Sequence, residues 1–391
     1  MKRPSSELRA DVREGFGIDP AHSVDPTQYQ HERYLGPPHR SRLLTAYYAL
    51  KPLVPRSVQL RMRRRYARRQ AARPFPAWPI EPILVDAAND ALRLRLREGE
   101  ADRTPIIGYW PAPHRSACVL THDVEGPRGI QNIPRVREIE RRHGLVSCWN
   151  FVAEDYPIPS GTFESLRDEG CEIGLHGIKH DGKLFQSRAR FEADLPKIHS
   201  YLERWDAVGF RSPATHRRAP WMHELGCLYD SSFPDTDPFE PQPGGCCSIL
   251  PFMFGDVVEL PMTMVQDHTL WEILQRRTAD LWRQKAAWIV ANHGLINLNT
   301  HPDYFIDDAR LAMYDELLGF LAAQDHCWHA LPRDVAAWWR DRAGMSCQAS
   351  GAAVPEIAGD RDDRAAVWWA SDRGGALAFD LARSGQASIR S

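Results

Sequence analysis

From residue 116 onward, short apolar runs alternate with longer segments whose apolar positions recur at helical spacing. The pattern predicts strands at 117–122, 146–152, 171–176, 208–211, 228–230, 257–261, 296–300 and 328–331. Between them it predicts helices at 133–143, 188–205, 218–226, 270–292, 308–324 and 333–342, with a shorter one before Gly170. Gly144 stops the first helix, and Ser187 can cap the second. Repeated strand–helix units imply parallel strands joined by right-handed crossovers. Seven or so units point to a barrel-like α/β domain over 116–342, with a doubly wound open sheet as the alternative.

The flanks read differently. Residues 1–44 are rich in Pro, His and Arg and lack periodicity, so an irregular arm is expected. A basic helical extension follows over 45–115, dense in arginine at Arg61, Arg63, Arg64, Arg65, Arg68, Arg69 and Arg73, and ended by Pro74, Pro76 and Pro79. Residues 343–391 turn small and charged. Two apolar segments there, 366–370 and 376–381, could pair as a hairpin within a loosely attached tail.

Composition narrows the class. With 391 residues, 43% hydrophobic and 26% charged, the chain is globular rather than disordered or fibrous. No run of about 18 apolar residues is present, so no transmembrane helix is expected. Residues 1–13 lack an apolar secretory core. The eight cysteines form no C-x-x-C pair and sit mostly in apolar runs, which reads as buried thiols in a reduced, cytoplasmic setting. The net charge of −2 conceals an asymmetry: residues 1–115 carry 21 Lys and Arg against 12 Asp and Glu, and residues 116–391 carry 28 against 39. The arginine helix at 56–73 is a solvated face or a contact for a membrane surface or another anionic partner. Nucleic acid is not expected, because Tyr66 is its sole aromatic. Twelve of the 16 histidines lie in the acidic remainder, where metal chemistry would be sought.

Four polar clusters fall at the C-terminal ends of predicted strands, where parallel α/β folds place their active sites. Thr121-His122-Asp123-Val124-Glu125 puts Asp123 and Glu125 on one side of an extended chain. His176-Gly177-Ile178-Lys179-His180 lets two imidazoles reach one cation, through helical geometry or a strand-end turn. Gly209-Phe210-Arg211-Ser212-Pro213-Ala214 offers an arginine for a carboxylate. Leu298-Asn299-Thr300-His301-Pro302 offers an imidazole as general acid.

Taken in order, these motifs resemble the polysaccharide deacetylase family, which shares the homology domain of the nodulation chitooligosaccharide deacetylase. The resemblance covers about residues 116–340 and includes Tyr229-Asp230-Ser231-Ser232. It implies a distorted (β/α) barrel of about seven parallel strands, here with an N-terminal helical and irregular extension. It also implies a divalent metal, zinc first, with cobalt or nickel as alternatives. The first motif departs from the usual T-F-D-D, because Val124 replaces the second Asp. A D-x-E variant then makes Asp123 the base and Glu125 a ligand beside His176 and His180. Arg211 would orient the base, the Ala214 N–H would help hold the oxyanion, and His301 would be the acid. Asp267 is the first choice for the group supporting His301, with Asp235 and Asp237 as others. Asp230 reads as structural. The activity implied is removal of N-acetyl groups from an amino-sugar glycan or its precursor. An O-acetyl esterase, an amidohydrolase of small cyclic amides, and a metal-retaining glycan-binding protein without catalysis remain as alternatives.

Overall fold

The computed structural model describes residues 24–36, 56–99, 102–348 and 355–382. Most of the expected N-terminal arm therefore lies outside the described residues. Within 24–36 there is one helical turn, Thr27–Gln30, and a 3₁₀ turn, Arg33–Leu35. This piece is held to the body by an ion pair between Glu32 and the buried Arg217.

Helices α1 (Arg56–Gln70) and α2 (Ile83–Glu98) lead to strand β1 (Arg103–Ile107). The central domain then follows as β2 (Ser116–Val124), α3 (Pro127–Arg142), β3 (Cys148–Phe151), α4 (Thr162–Asp168), β4 (Glu172–Leu175) and α5 (Arg188–Arg204). Next come β5 (Gly209–Phe210), β6 (Tyr229–Asp230), β7 (Phe252–Phe254), β8 (Val257–Glu259), α6 (Asp280–Ala291), β9 (Leu295–Thr300), α7 (Asp308–Ala322), β10 (Cys327–His329) and α8 (Pro332–Ala343). The C-terminal strands are β11 (Ser346–Gln348), β12 (Glu356–Ala358), β13 (Val367–Arg373) and β14 (Ala376–Leu381).

The main sheet runs β9-β2-β3-β4-β5-β6-β8 with every neighbour parallel, and β7 adds antiparallel to β8. Strand β10 lies beside the first residues of β2, on the side that β3 takes further along. The sheet curls until its far edge meets β9. Met264 N–H donates to Asn297 O at 3.2 Å, and the Thr263 hydroxyl donates to Leu295 O at 2.6 Å. This is a mixed α/β fold built as a distorted barrel of seven parallel strands.

Strand alternation sorts β2 into two faces. Cys118, Leu120 and Val124 pack outward against helices, in a cluster with Val136, Ile139 and Trp149. Ala117 and Val119 point inward to a second cluster with Val258, Leu260, Leu295 and, from α8, Val335 and Trp338. His122 points outward and is no part of the barrel interior. Its Nε2 lies 2.6 Å from Glu140 Oε1 in α3, and its Nδ1 lies 2.8 Å from the Thr300 hydroxyl.

Two expectations are corrected. The helix read over 270–292 is broken: a wide turn, Thr269–Ile273, is separated from α6 by Gln275 at φ +54°. The break lets Trp271 and Trp282 reach the same core, with centroids 5.8 Å apart, while Trp282 Nε1 donates to Val265 O. Tertiary packing thus overrides the helical pattern. The segments expected in a loose tail do form a hairpin, β13–β14, but it is docked. Strand β13 pairs antiparallel with β1 along its length, and Trp368 is buried against Tyr109 and His293.

Candidate active site

The four strand ends meet at one end of the barrel. Asp123 lies one residue before the end of β2, buried at 2% exposure. Its Oδ1 accepts from Asn150 Nδ2 at 2.9 Å and from Arg211 Nη1 at 3.3 Å, and its Oδ2 accepts from Asn299 Nδ2 at 2.8 Å. Arg211 follows β5 and uses four of its five N–H donors: Nε and Nη2 donate to the backbone and hydroxyl of Ser231, and Nη1 donates to Thr121 as well as to Asp123. Burial by itself would raise the Asp123 pKa. The Arg211 guanidinium, then the His176 and His301 rings and the Asn150 bond, outweigh it and hold the carboxyl well below the usual range.

The two histidines of the H-x-x-x-H stretch are set by a turn rather than a helix. His176 N–H continues the ladder to Phe151 O, and Gly177 then turns at φ +68°. A Cβ at Gly177 would meet Pro213 at 2.7 Å, so glycine is required both for the turn and for the close approach. That approach seats the Pro213–Thr215 turn against the His176 strand end, and Ala214 within it has φ +53°. His180 is anchored through its N–H to Asp155 Oδ2.

Glu125, His176 and His180 offer ligand atoms that lie within 4.8 Å of one another. The donor set fits a divalent cation such as zinc. His176 Nδ1–H donates to Arg211 O at 3.1 Å, which leaves the Nε2 lone pair facing inward. That atom is buried with no hydrogen-bond partner, and burial drops the His176 pKa to about 4, keeping the ring neutral as ligation requires. His180 Nε2 sits 2.9 Å from Glu125 Oε1, within ion-pair reach but out of line for a hydrogen bond. Burial opposes charge on Glu125 too, yet His180 and His301 bring its pKa down to about 2.

His301 stands opposite. Its Nδ1–H donates to Asp267 Oδ1 at 2.6 Å, and its backbone N–H donates to Asp267 Oδ2 at 2.7 Å. The ring is thereby aimed so that Nε2 lies 3.9 Å from Asp123 Oδ2 and 3.7 Å from Glu125 Oε1. Burial disfavours its charge, but the Asp267 carboxylate wins and pushes the pKa up to about 10. The other acids weighed for this place are engaged elsewhere. Asp235 pairs with Lys285 at 2.8 Å, Asp237 accepts from Phe239 N–H, and Asp230 accepts from Ser232.

Sequence reading missed the residues that orient these groups. Asn150 and Asn299 hold Asp123, and Gln266 Oε1 accepts from Asn299 at 3.2 Å. Asp303 accepts from the N–H groups of Glu125 and Gly129, both at 3.0 Å, and so fixes the Glu125 backbone at the entrance of α3. The usable signal was alternation: Asn297, Asn299 and His301 interrupt an apolar strand at every second position, the period of one face.

No family model matches the chain, and no curated protein does. Among solved structures, the chain is similar to a protein from Mycobacterium smegmatis assigned as a polysaccharide deacetylase, at 20% identity and TM-score 0.49, over 62% of this chain and 96% of that one. It is similar to Puue allantoinase at 15% identity and TM-score 0.46, over 60% and 94%. It is also similar to a family 4 carbohydrate esterase from Streptomyces lividans, at 12% identity and TM-score 0.36, over 56% and 93%. At such identities and TM-scores, the chemistry has to be read from this chain's own side chains.

Proposed function

We propose that the protein is a metal-dependent hydrolase that removes N-acetyl groups from an amino-sugar-containing glycan or glycan precursor. One observation carries this reading: the Glu125, His176 and His180 donors converge beside a carboxylate, Asp123, and an imidazole, His301, that do not share their role. When bound by those three donors, a cation such as zinc would polarise the acetamide carbonyl and lower the pKa of water toward ~7.

The protein's own groups supply the rest. Asp123, kept ionised and pinned by Asn150, Asn299 and Arg211, takes a proton from the attacking water. We assign stabilisation of the developing oxyanion to the Ala214 N–H, in the turn that packs against the His176 strand end. His301, with Nδ1 committed to Asp267, has only Nε2 to offer to the leaving nitrogen. An amine leaves poorly without that proton, which favours an N-acetyl substrate as the use of this arrangement.

The test is acetate release from N-acetylated and O-acetylated sugars, with and without a chelator. Release from N-acetyl substrates that chelator abolishes and zinc restores is expected. Absence of release from any N-acetyl sugar, with zinc or cobalt added, refutes the reading. Release confined to O-acetyl sugars makes the protein an esterase instead. Glu125→Ala and His176→Ala should lose bound metal in elemental analysis.

A further inference from the structure

Helix α1 reads RSVQLRMRRRYARRQ, seven arginines with no acid. At 100° per residue its described side chains divide into two arcs. One arc is docked. Arg63 donates to Phe239 O and Arg64 to Glu272 O, each at 2.8 Å, and Gln70 donates to Pro238 O at 2.5 Å. Ala67 on the same arc packs with Phe239 and Ile273. The arginine bonds end on backbone carbonyls. The opposite arc holds Val58, Arg61, Arg65 and Arg69, with Tyr66 at its margin, all exposed. Arg61, Arg65 and Arg69 follow one another at one-turn spacing, and among the described residues none of them is ion-paired with an acid. Val58 and Tyr66 are exposed large apolar side chains, at 42% and 52%.

We infer that this arc docks the protein onto an anionic lipid surface. Planar guanidiniums bind phosphate oxygens in pairs, and a row of them at helical pitch presents several at once to a layer of headgroups. A tyrosine and a valine beside that row suit the boundary between headgroup and acyl chain. The arc is a convex helix surface rather than a groove, so it fits an extended sheet of phosphates better than an inserted peptide. Contact would be peripheral, since no helix among the described residues is long and apolar enough to cross a membrane. The docked arc rests on the catalytic end of the barrel: the residue after Phe239 is Glu240, which accepts from Gln266, and Gln266 accepts from Asn299, which holds Asp123. Lipid binding would therefore bring the catalytic end toward the surface. The inference uses no catalytic residue and stands whether or not the deacetylase reading does.

The experiment is co-sedimentation of the full chain with vesicles of phosphatidylglycerol and phosphatidylcholine, or of phosphatidylcholine alone. Binding to the anionic vesicles only is expected, weakening as salt is raised. At about a fivefold effect per arginine, the Arg61→Gln, Arg65→Gln, Arg69→Gln triple variant should bind about a hundredfold more weakly. The corresponding triple lysine variant should retain most of the binding, and both should melt where the parent does. Equal binding by the glutamine variant, equal binding to neutral vesicles, or indifference to salt in the parent overturns the proposal. So does tighter binding to heparin than to anionic vesicles, which would make the ligand a soluble polyanion.

Discussion

The inward face of β2 changes chemistry halfway along. Ala117 and Val119 join Val258, Leu260, Leu295 and Trp338 in an apolar plug at the lower end of the barrel. Two positions further on, Thr121 and Asp123 meet Arg211, Asn150 and Asn299 in an entirely polar layer. Both halves are buried, but they contribute differently. Apolar burial gains about 25 cal/mol per Å² wherever shapes fit, and needs no particular angle. A buried polar group left unpaired costs about 1–3 kcal/mol, so the upper layer is tolerable only with its bonds made. Arg211 makes four of them, and the result is one orientation for Asp123. Among the described residues, the buried atoms without a partner in and beside this layer include His176 Nε2 and His180 Nε2, two of the three proposed ligand residues, along with Asn299 Oδ1.

This division can be broken from either side. The largest effect is expected from Asp123→Asn, which should cut turnover about a thousandfold, equivalent to about 4 kcal/mol in the barrier, while metal content by elemental analysis stays near that of the parent. Retained turnover would remove Asp123 as the base. Trp338→Ala, in the plug, should cost about 3–4 kcal/mol in denaturant unfolding and leave bound metal unchanged. If metal is lost as well, the two layers are coupled rather than separate.

A third variant reads charge at the lower end. Glu172 begins β4, accepts from the Tyr229 hydroxyl and the Arg333 N–H, and is pushed by burial to a pKa of about 7. Its folded pKa lies above the unfolded value near 4.5. Its contribution is therefore fully present below about pH 4.5 and is lost as pH rises through about 7. Glu172→Gln should flatten the fall in stability between those limits by up to about 3 kcal/mol, measured as unfolding free energy against pH. An unchanged slope would show that Glu172 does not hold its proton. The smallest effect belongs outside both layers: Ser187 caps α5 by accepting from Arg190 N–H, and Ser187→Ala should cost about 1 kcal/mol without touching metal or turnover.

What the sequence disclosed follows the same line. Strand–helix alternation and the Ser187 cap are local signals, and the barrel and α5 reflect them directly. Asp123, Glu125, His176, His180, Arg211 and His301 were legible as candidates because each sits at the end of an apolar run. Asn150 and Asn299 were not, because their work is to aim another side chain, and nothing in W-N-F or L-N-T states which carboxylate lies across the barrel. The turn that breaks 270–292 was hidden for a similar reason. Trp271 and Trp282 sit eleven positions apart, a spacing a continuous helix also accepts, and only their shared core chooses the bend. The hairpin's attachment was invisible because its partner strand precedes the entire barrel.

That last pairing also bears on how the chain is made. Arg103 of β1 meets Ser371 of β13, so the barrel is encoded wholly between two strands of one small sheet. At about 5–20 residues per second, β1 waits roughly tens of seconds after synthesis for its partner to be translated. Through that interval its backbone donors and acceptors have no strand to bond. During synthesis, the barrel can therefore close while the strand leading into it is still open-edged. Pairing of β13 with β1 can thus follow closure of the barrel, with the hairpin as the clasp that fastens it.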